Sequence, residues 1–129
     1  MRMTTEVEDW EEINFFSKEE FLCKCQNCDS KRGVSFVLVQ ILDLMRAYLD
    51  FPMKVTSGYR CPMHPLSKNS TSSHARGLAV DIYCKNSANR HEMLEYVLRR
   101  GLFHRIGVAS DFLHFDIDND KVQRVIWTY

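Results

Sequence analysis

The segment 72–81 constrains the fold and chemistry of this chain more than any other part of the sequence. It reads Ser-Ser-His-Ala-Arg-Gly-Leu-Ala-Val-Asp, with His74 in a polar loop and Asp81 in the apolar stretch that follows. The apolar stretch predicts a strand. Gly77 and Ala79 are small, so the backbone can pass close to another element there. The segment therefore offers an imidazole and a carboxylate on a loop and on the strand that follows it.

A second segment, 111–114, supplies another carboxylate and another histidine in the sequence Asp-Phe-Leu-His. Two histidines and one carboxylate form a three-ligand zinc site whose fourth position stays open to water, as in catalytic sites. Zinc lowers the pKa of its bound water from about 15.7 to about 7. A free carboxylate beside that water can carry its proton to the leaving amine. His74, Asp81 and His114 are therefore candidate zinc ligands and Asp111 is the candidate acid/base. Their spacing alone leaves open that the histidines are packed or solvated side chains and the aspartates turn residues.

The order of predicted elements indicates an α+β fold. Apolar residues recur at helical spacing over 35–50, and a second helix capped by Ser87 runs to Arg100 and stops at Gly101. A capping pattern over 17–20 predicts a short helix before them. Predicted strands cover 53–56, 78–84, 104–109, 112–117 and 122–127. We expect a small single domain with helices packed on an antiparallel sheet.

Composition and charge exclude several classes of protein. The 129 residues are 45% hydrophobic, which suits one compact domain. Lys+Arg and Asp+Glu are both 17, so nothing points to nucleic acid or to an anionic membrane as partner. No apolar run of about 18 residues appears, so we expect no membrane insertion. The segment 1–12 lacks the features of a signal peptide. We expect synthesis in the cytoplasm, a loosely held segment over 1–15, a domain over 16–129, and a monomer.

The cysteines leave several interpretations open. Their odd number and the missing signal peptide argue against a disulfide framework. The spacing Cys23-x-Cys25-x-x-Cys28 is compatible with a second, structural zinc ion, with Cys61 or a histidine as fourth ligand. Reduced buried thiols or one accidental bridge are the alternatives, and the second ion is not the interpretation that we favour. Cys84 ends an apolar strand, so we expect it in the core.

Several segments, in this order along the chain, resemble one peptidase family. Thr-Ser-Gly-Tyr-Arg-Cys-Pro at 56–62 precedes the Ser-x-His-x-x-Gly-x-Ala-x-Asp pattern of 72–81. Arg-Ile-Gly-Val at 105–108 and Phe-Leu-His-Phe-Asp at 112–116 follow it. Together they resemble the M15 family of zinc D-Ala-D-Ala peptidases, most of all its compact branch of phage endolysins and bacterial carboxypeptidases. The resemblance spans about residues 16–129.

The resemblance implies an enzyme and assigns residues to roles. It implies a zinc metallopeptidase that uses a zinc-activated water to hydrolyse a peptide bond at or near D-alanine in peptidoglycan stem peptides. The fold that it implies is an α+β domain with a central zinc cleft. His74, Asp81 and His114 match the family's three zinc ligands. Asp111 matches its catalytic acid/base, where many members have Glu, and Arg60 matches the arginine that steadies the substrate carbonyl or carboxylate.

The resemblance also suggests supporting residues and leaves alternatives open. Ser72 matches a residue beside the metal that contacts substrate or orients a ligand, while Asp116 and Tyr59 are expected to support or pack around the site. An endolysin-type endopeptidase and a D-Ala-D-Ala carboxypeptidase are both compatible with these motifs. The missing signal favours a phage-type lysin that reaches the cell wall on release through a partner such as a holin, or by another export route.

Two further classes compete with an enzyme. One is a zinc-holding but non-hydrolytic module that binds cell-wall peptide, and the other is a generic zinc-stabilised domain. Asp111 and Arg60 argue against the binding module, because a purely structural site needs neither. Stability that depends on metal, without any hydrolysis, would favour the zinc-stabilised domain.

Overall fold

The computed structural model describes residues 5–25, 33–61 and 72–129. Within these ranges the chain forms two α-helices, two short 3-10 helices and five strands. In chain order they are the 3-10 helices Trp10–Glu12 and Lys18–Phe21, α1 (Phe36–Tyr48), β1 (Lys54–Ser57), β2 (Ala79–Tyr83), α2 (Ser87–Arg100), β3 (Arg105–Val108), β4 (Phe112–Asp116) and β5 (Val125–Thr128). The predicted α+β class is confirmed, and each predicted helix and strand has an observed counterpart.

The five strands form one sheet in the order β1-β2-β4-β3-β5. The pairs β1–β2, β2–β4 and β4–β3 are antiparallel, as predicted, but β5 pairs with β3 in parallel. The sheet is therefore mixed rather than wholly antiparallel. Because β4 already has a neighbour on each side, β5 cannot pair with it. It takes the free edge of β3 instead and runs in the same direction as β3.

The two α-helices begin at side-chain caps and bury one side each. The Ser35 side chain accepts a hydrogen bond from the Leu38 N–H at 3.4 Å and caps α1. The cap of α2 is Asn86 rather than the predicted Ser87, because the Asn86 side chain accepts from the Asn89 N–H at 3.0 Å. Within the described residues, neither helix is long and apolar enough to cross a membrane.

The sheet presents two different faces. In the register of β2 and β4, Val80 pairs with Phe115 and Asp81 pairs with His114. Since side chains alternate along a strand, the two apolar residues point to one face and the two polar residues to the other. On the apolar face, Val80, Ile82 and Phe115 are fully buried. Buried residues of both α-helices join them in one core, among them Leu38, Leu42, Met45, Met93 and Val97.

The segment before residue 16 makes several contacts with the rest of the chain. Glu6 forms an isolated antiparallel bridge with Ser35, and Ile13 is 8% exposed. These contacts lie in the described part, 5–15, of the segment that the sequence predicts to be loosely held. The domain boundary placed before residue 16 stays a prediction.

Candidate metal centre

Two histidines and one carboxylate converge on the polar face of the sheet. Nδ1 of His114 lies 2.9 Å from Oδ1 of Asp81, and Nε2 of His74 lies 3.4 Å from the same oxygen. One candidate ligand atom from each residue lies within 4.8 Å of the others, and all three residues are buried. The structure therefore brings together the three residues predicted as zinc ligands, and they could hold one metal ion.

A tight turn over 73–77 places His74 beside β2. The Gly77 N–H donates to the His74 carbonyl at 3.2 Å, and the Leu78 N–H donates to the Ser73 carbonyl at 2.9 Å. Gly77 has a φ of 72°, a left-handed conformation that glycine adopts at little cost. A Cβ on Gly77 would also lie 3.1 Å from the carbonyl oxygen of Gly33. Glycine at this position therefore allows the turn that leads from the loop into β2.

The outer ring nitrogen of each histidine faces an oxygen of the protein. Nδ1 of His74 lies 2.8 Å from the Gly58 carbonyl, and Nε2 of His114 lies 2.7 Å from Oδ2 of Asp116. The other two ring nitrogens, Nε2 of His74 and Nδ1 of His114, face Asp81. In the tautomer with the hydrogens on the outer nitrogens, these two have a free lone pair for a metal ion. Metal-binding histidines usually have their second nitrogen held in this way. The side chains present thus fit a metal ion in both donor type and orientation.

The buried charges of the cluster are strongly coupled. Burial raises the pKa of Asp81, but hydrogen bonds from His114 and His74 outweigh it and lower the pKa well below 3.8. Burial lowers the pKa of His74 below 6.5. Burial also opposes a charge on His114, yet hydrogen bonds with Asp116 and Asp81 raise its pKa above 6.5. The two carboxylates next to the ring therefore favour the protonated form of His114, and a cation bound to its Nδ1 would compete with that proton.

Arg60 lies against the carboxylate of this cluster. Its Nη2 lies 3.0 Å from Oδ2 of Asp81, its Nε donates to Ser57 Oγ at 2.9 Å, and its backbone N–H donates to the His74 carbonyl at 3.2 Å. Arg60 and Asp81 also line a cleft of 270 Å³ together with Phe112. Arg60 therefore lies beside both the predicted metal ligands and an open cleft.

A larger cavity lies elsewhere in the molecule. It measures 470 Å³ and lies among residues of α2, β3 and β5, with Leu98, Phe103 and Ile126 in its wall. It includes none of the site residues predicted from the sequence, so its size does not make it the candidate site.

Two predicted site residues lie outside this cluster of contacts. Asp111 is exposed at the turn before β4, where its carbonyl accepts a hydrogen bond from the Cys84 N–H at 2.8 Å. Ser72 is half-buried, and its carbonyl accepts from the Arg76 N–H at 3.2 Å. Within the described residues, neither side chain forms a hydrogen bond or an ion pair with the three predicted ligands. The roles of both residues stay predictions.

An aromatic pair that the sequence does not reveal covers one side of the site. The Trp127 ring lies 5.3 Å from the His114 ring. A Cβ on Gly107 would lie 2.8 Å from Nε1 of Trp127 and 2.9 Å from the Tyr129 hydroxyl. Tyr129 is 70% exposed as a whole, but burial of its hydroxyl raises the pKa of that group above 10.0. A glycine inside a strand can indicate that another group approaches closely. Gly107 is therefore the sequence feature that could have indicated an aromatic side chain packed on β3.

A buried carboxylate beyond β4 holds the turn that carries His74. Asp118 is completely buried and accepts hydrogen bonds from Ser73 Oγ at 2.8 Å and from Arg76 Nη1 at 2.6 Å. These two donors flank His74, so Asp118 fixes the turn from both sides. The contact joins residues more than forty positions apart, and the sequence carries no spacing signal for it.

Comparison with known proteins gives the family. The family model described as Peptidase M15 matches residues 14–118, a stretch that includes Arg60 and all three predicted metal ligands. No curated protein matches the chain. Peptidases of this family depend on a metal ion, in agreement with the donor set on the polar face of the sheet. The match covers most of the chain, and the protein belongs to the Peptidase M15 family.

Proposed function

We propose that the protein is a zinc-dependent peptidase that hydrolyses a bond at or near D-alanine in peptidoglycan stem peptides. The family supplies the coarser part of this statement, a metallopeptidase of peptidoglycan peptides. One observation supports the dependence on zinc, the convergence of two imidazole nitrogens and one carboxylate oxygen of buried residues within 4.8 Å of one another. The D-alanine bond is proposed from the resemblance of the sequence motifs to the family. Imidazole and carboxylate together suit zinc better than magnesium or calcium, which prefer oxygen ligands alone.

The residues of the site have separate tasks in this proposal. A bound zinc ion would supply Lewis acidity and an activated water. Asp81 stays ionised, and His74 stays neutral because burial lowers its pKa. Asp116 accepts the hydrogen on Nε2 of His114 and fixes the direction of that ring. The chain thereby presents its donors in the protonation states that metal binding requires, once the proton on Nδ1 of His114 is displaced.

Arg60 is proposed to stabilise the negative charge that develops on the substrate carbonyl oxygen. Its guanidinium is fixed by Ser57 at Nε and by Asp81 at Nη2. Within the described ranges Nη1 makes no hydrogen bond, so it is available to an acceptor in the cleft. A guanidinium fixed before the reaction stabilises charge without further reorganisation, and this favours the transition state.

Asp111 is proposed as the group that moves the proton from water to the leaving amine. It directly precedes Phe112, which lines the cleft next to Arg60 and Asp81. Its carboxylate is exposed and therefore accessible to a bound substrate. In many enzymes the catalytic hydrogen bonds reach their short length only when substrate is bound. The position of Asp111 in the free protein is therefore compatible with this role.

The experiment is hydrolysis of purified Gram-negative peptidoglycan, and of short peptides that end in D-Ala-D-Ala, with products identified by mass. We expect release at a D-alanine bond that a zinc chelator abolishes. Release from intact wall at a cross-link would identify an endopeptidase, and release of terminal D-alanine would identify a carboxypeptidase. His114→Ala should be inactive. His91→Ala is its matched control, because the His91 side chain is 70% exposed on α2 and its variant should keep full activity.

One outcome would replace this proposal. If the protein binds zinc at the three ligands but releases nothing from wall or from peptides, the enzyme proposal fails. A non-hydrolytic module that binds cell-wall peptide would then be the better interpretation.

A further inference from the structure

Three cysteines from two distant parts of the chain meet next to Arg60. Cys23 and Cys25 follow the second 3-10 helix, and Cys61 follows Arg60 directly. The Sγ atoms of Cys23 and Cys25 are 3.5 Å apart, and those of Cys25 and Cys61 are 3.3 Å apart. All three sulfurs lie within 4.8 Å of one another.

The distances between the sulfurs favour shared binding of a metal ion. Sulfurs joined in a disulfide are about 2.05 Å apart. Two thiolates on one tetrahedral zinc ion, each about 2.3 Å from the metal, are about 3.8 Å apart. The observed 3.3 and 3.5 Å lie much nearer to the second value. The backbone N–H of Cys61 also donates to Sγ of Cys23 at 3.3 Å, and such a donor favours the thiolate form.

We propose that Cys23, Cys25 and Cys61 bind a second, structural zinc ion, distinct from the ion at His74 and its partners. A set of soft thiolates selects zinc over magnesium or calcium. The position of Cys61 is what the structure adds to the spacing of the other two. The sequence offered Cys61 or a histidine as the fourth ligand without a reason to choose between them, and the structure places Cys61 beside Cys23 and Cys25. The predicted ligand Cys28 lies outside the described residues.

The proposed ion would fix the loop that carries Arg60. The Tyr59 N–H donates to the Phe21 carbonyl at 2.9 Å, so the two chain segments already lie side by side. An ion between Cys25 and Cys61 would tie them together across 36 residues of sequence. Closing a loop of this length restricts the unfolded chain and thereby stabilises the fold. The ion would also hold Arg60 in place against Asp81.

The test is the zinc content of the whole protein, purified under reducing conditions and measured by elemental analysis. We expect two zinc ions per chain in the wild type and one in Cys61→Ser. His114→Ala should also hold one ion, because it loses the other site. Cys84→Ser is the matched control and should hold two, since the Cys84 thiol lies near the Asn86 carbonyl at 3.8 Å and belongs to neither cluster.

Cobalt substitution of the wild-type protein identifies thiolate ligands even if one of the variants fails to fold. Cobalt bound to thiolates gives an intense charge-transfer absorption in the near ultraviolet. This absorption should appear in the wild type and persist in His114→Ala and Cys84→Ser, and it should be lost in Cys61→Ser. No hydrolysis assay enters the test, so an inactive protein that holds two ions would count against the peptidase proposal alone.

Two results would overturn the proposal. One is a wild-type protein with a single zinc ion and no thiolate absorption with cobalt. The other is a disulfide among these cysteines in the reduced preparation, seen as a mass lower by two hydrogens than that of the dithiol.

Discussion

Asp116 lies 2.7 Å from Nε2 of His114, and this contact determines which ring nitrogen faces Asp81. Asp116 is itself held from two sides, since its Oδ1 accepts from Arg105 Nε at 2.9 Å and from the Asp118 N–H at 3.1 Å. With 1% of its surface exposed, the carboxylate has little freedom to turn. The direction of the His114 ring is therefore set by a residue that is not among the three predicted metal ligands.

Asp116→Asn should weaken zinc binding without unfolding the protein. The amide has the size of the carboxylate but lacks its charge, so it holds the His114 ring less firmly. Loss of such a supporting contact typically lowers metal affinity by about 10- to 100-fold. Competition with a chromogenic chelator measures the change. Asp50→Asn is the control, because it changes an exposed carboxylate. An unchanged zinc affinity in Asp116→Asn would show that Asp116 does not have this role.

Zinc affinity should fall as the pH is lowered, because a proton competes for His114. Hydrogen bonds with Asp116 and Asp81 raise the pKa of His114 above 6.5 despite burial, so zinc must displace this proton already near neutral pH. Asp116→Asn removes one cause of the raised pKa, so the decline should shift to lower pH. Zinc titrations across the neutral and mildly acidic range measure both effects. An apparent affinity independent of pH would contradict this competition.

Asp111→Ala should retain zinc and lose activity by a factor of about 100 or more. The carboxylate is exposed at the turn before β4, so its removal should leave the fold and the metal ligands unchanged. Rates on a short D-Ala-D-Ala peptide, together with zinc content, measure the two quantities separately. Ser110→Ala, an exposed neighbour on the same turn, should keep full activity. Full activity in Asp111→Ala would exclude this residue as the acid/base.

The sequence predicts most of the elements because their patterns are local. Helical periodicity places α1, and alternation places β2 and β4 within a residue or two of their observed ends. The site is predictable to the same extent, since His74 and Asp81 lie within one turn-and-strand segment. His114 could be added because segment 111–114 supplies a second histidine next to a carboxylate, and the β2–β4 register brings it opposite Asp81.

Contacts between distant parts of the chain could not be predicted in this way. Nothing in the sequence of β5 indicates which edge of the sheet it joins, and so its parallel pairing with β3 was missed. The contact of Asp118 with Ser73 depends on where the chain goes after β4, and so does the position of Trp127 over His114. The meeting of Cys61 with Cys25 likewise depends on how the loop after β1 folds back. Such contacts are decided by packing, which a single sequence does not record.

Gly58→Ala should disturb both stability and zinc binding. A Cβ on Gly58 would lie 2.8 Å from the Cα and the carbonyl oxygen of Phe21, and a backbone cannot move away as a flexible side chain can. The Gly58 carbonyl also faces Nδ1 of His74, so displacement would turn that ring. We expect unfolding free energy to fall by about 1–3 kcal/mol, with weaker zinc binding. Urea unfolding and zinc titration measure these effects.

The matched control for this change is Gly33→Ala. Among the described residues, a Cβ there would meet only the Glu6 side chain, at 3.7 Å, which is ordinary van der Waals contact. The control should therefore keep stability and zinc affinity near the wild-type values. Equal behaviour of the two variants would show that the approach of Gly58 to Phe21 is not essential.

Asp118 should stabilise the fold at neutral pH and lose this effect in acid. Burial raises the pKa of its carboxyl, but donors from Ser73 and Asp120 and the Arg76 guanidinium outweigh it and lower the pKa below 3.8. Lys121 Nζ, 3.9 Å away, also faces the carboxylate. Because the folded pKa is the lower one, the stabilisation is present above the unfolded value and disappears as the pH falls through the folded value.

The corresponding measurement is urea unfolding of wild type and Asp118→Asn, with a chelator present so that metal binding does not contribute. The variant should be less stable by about 1–3 kcal/mol at neutral pH, because it loses hydrogen bonds to a charged group. The difference should shrink as the pH falls below 3.8, where the wild-type carboxyl becomes protonated. Asp50→Asn, a change of an exposed carboxylate, should show neither effect. A difference that is the same at every pH would mean that ionisation of the Asp118 carboxyl is not the cause of the stabilisation.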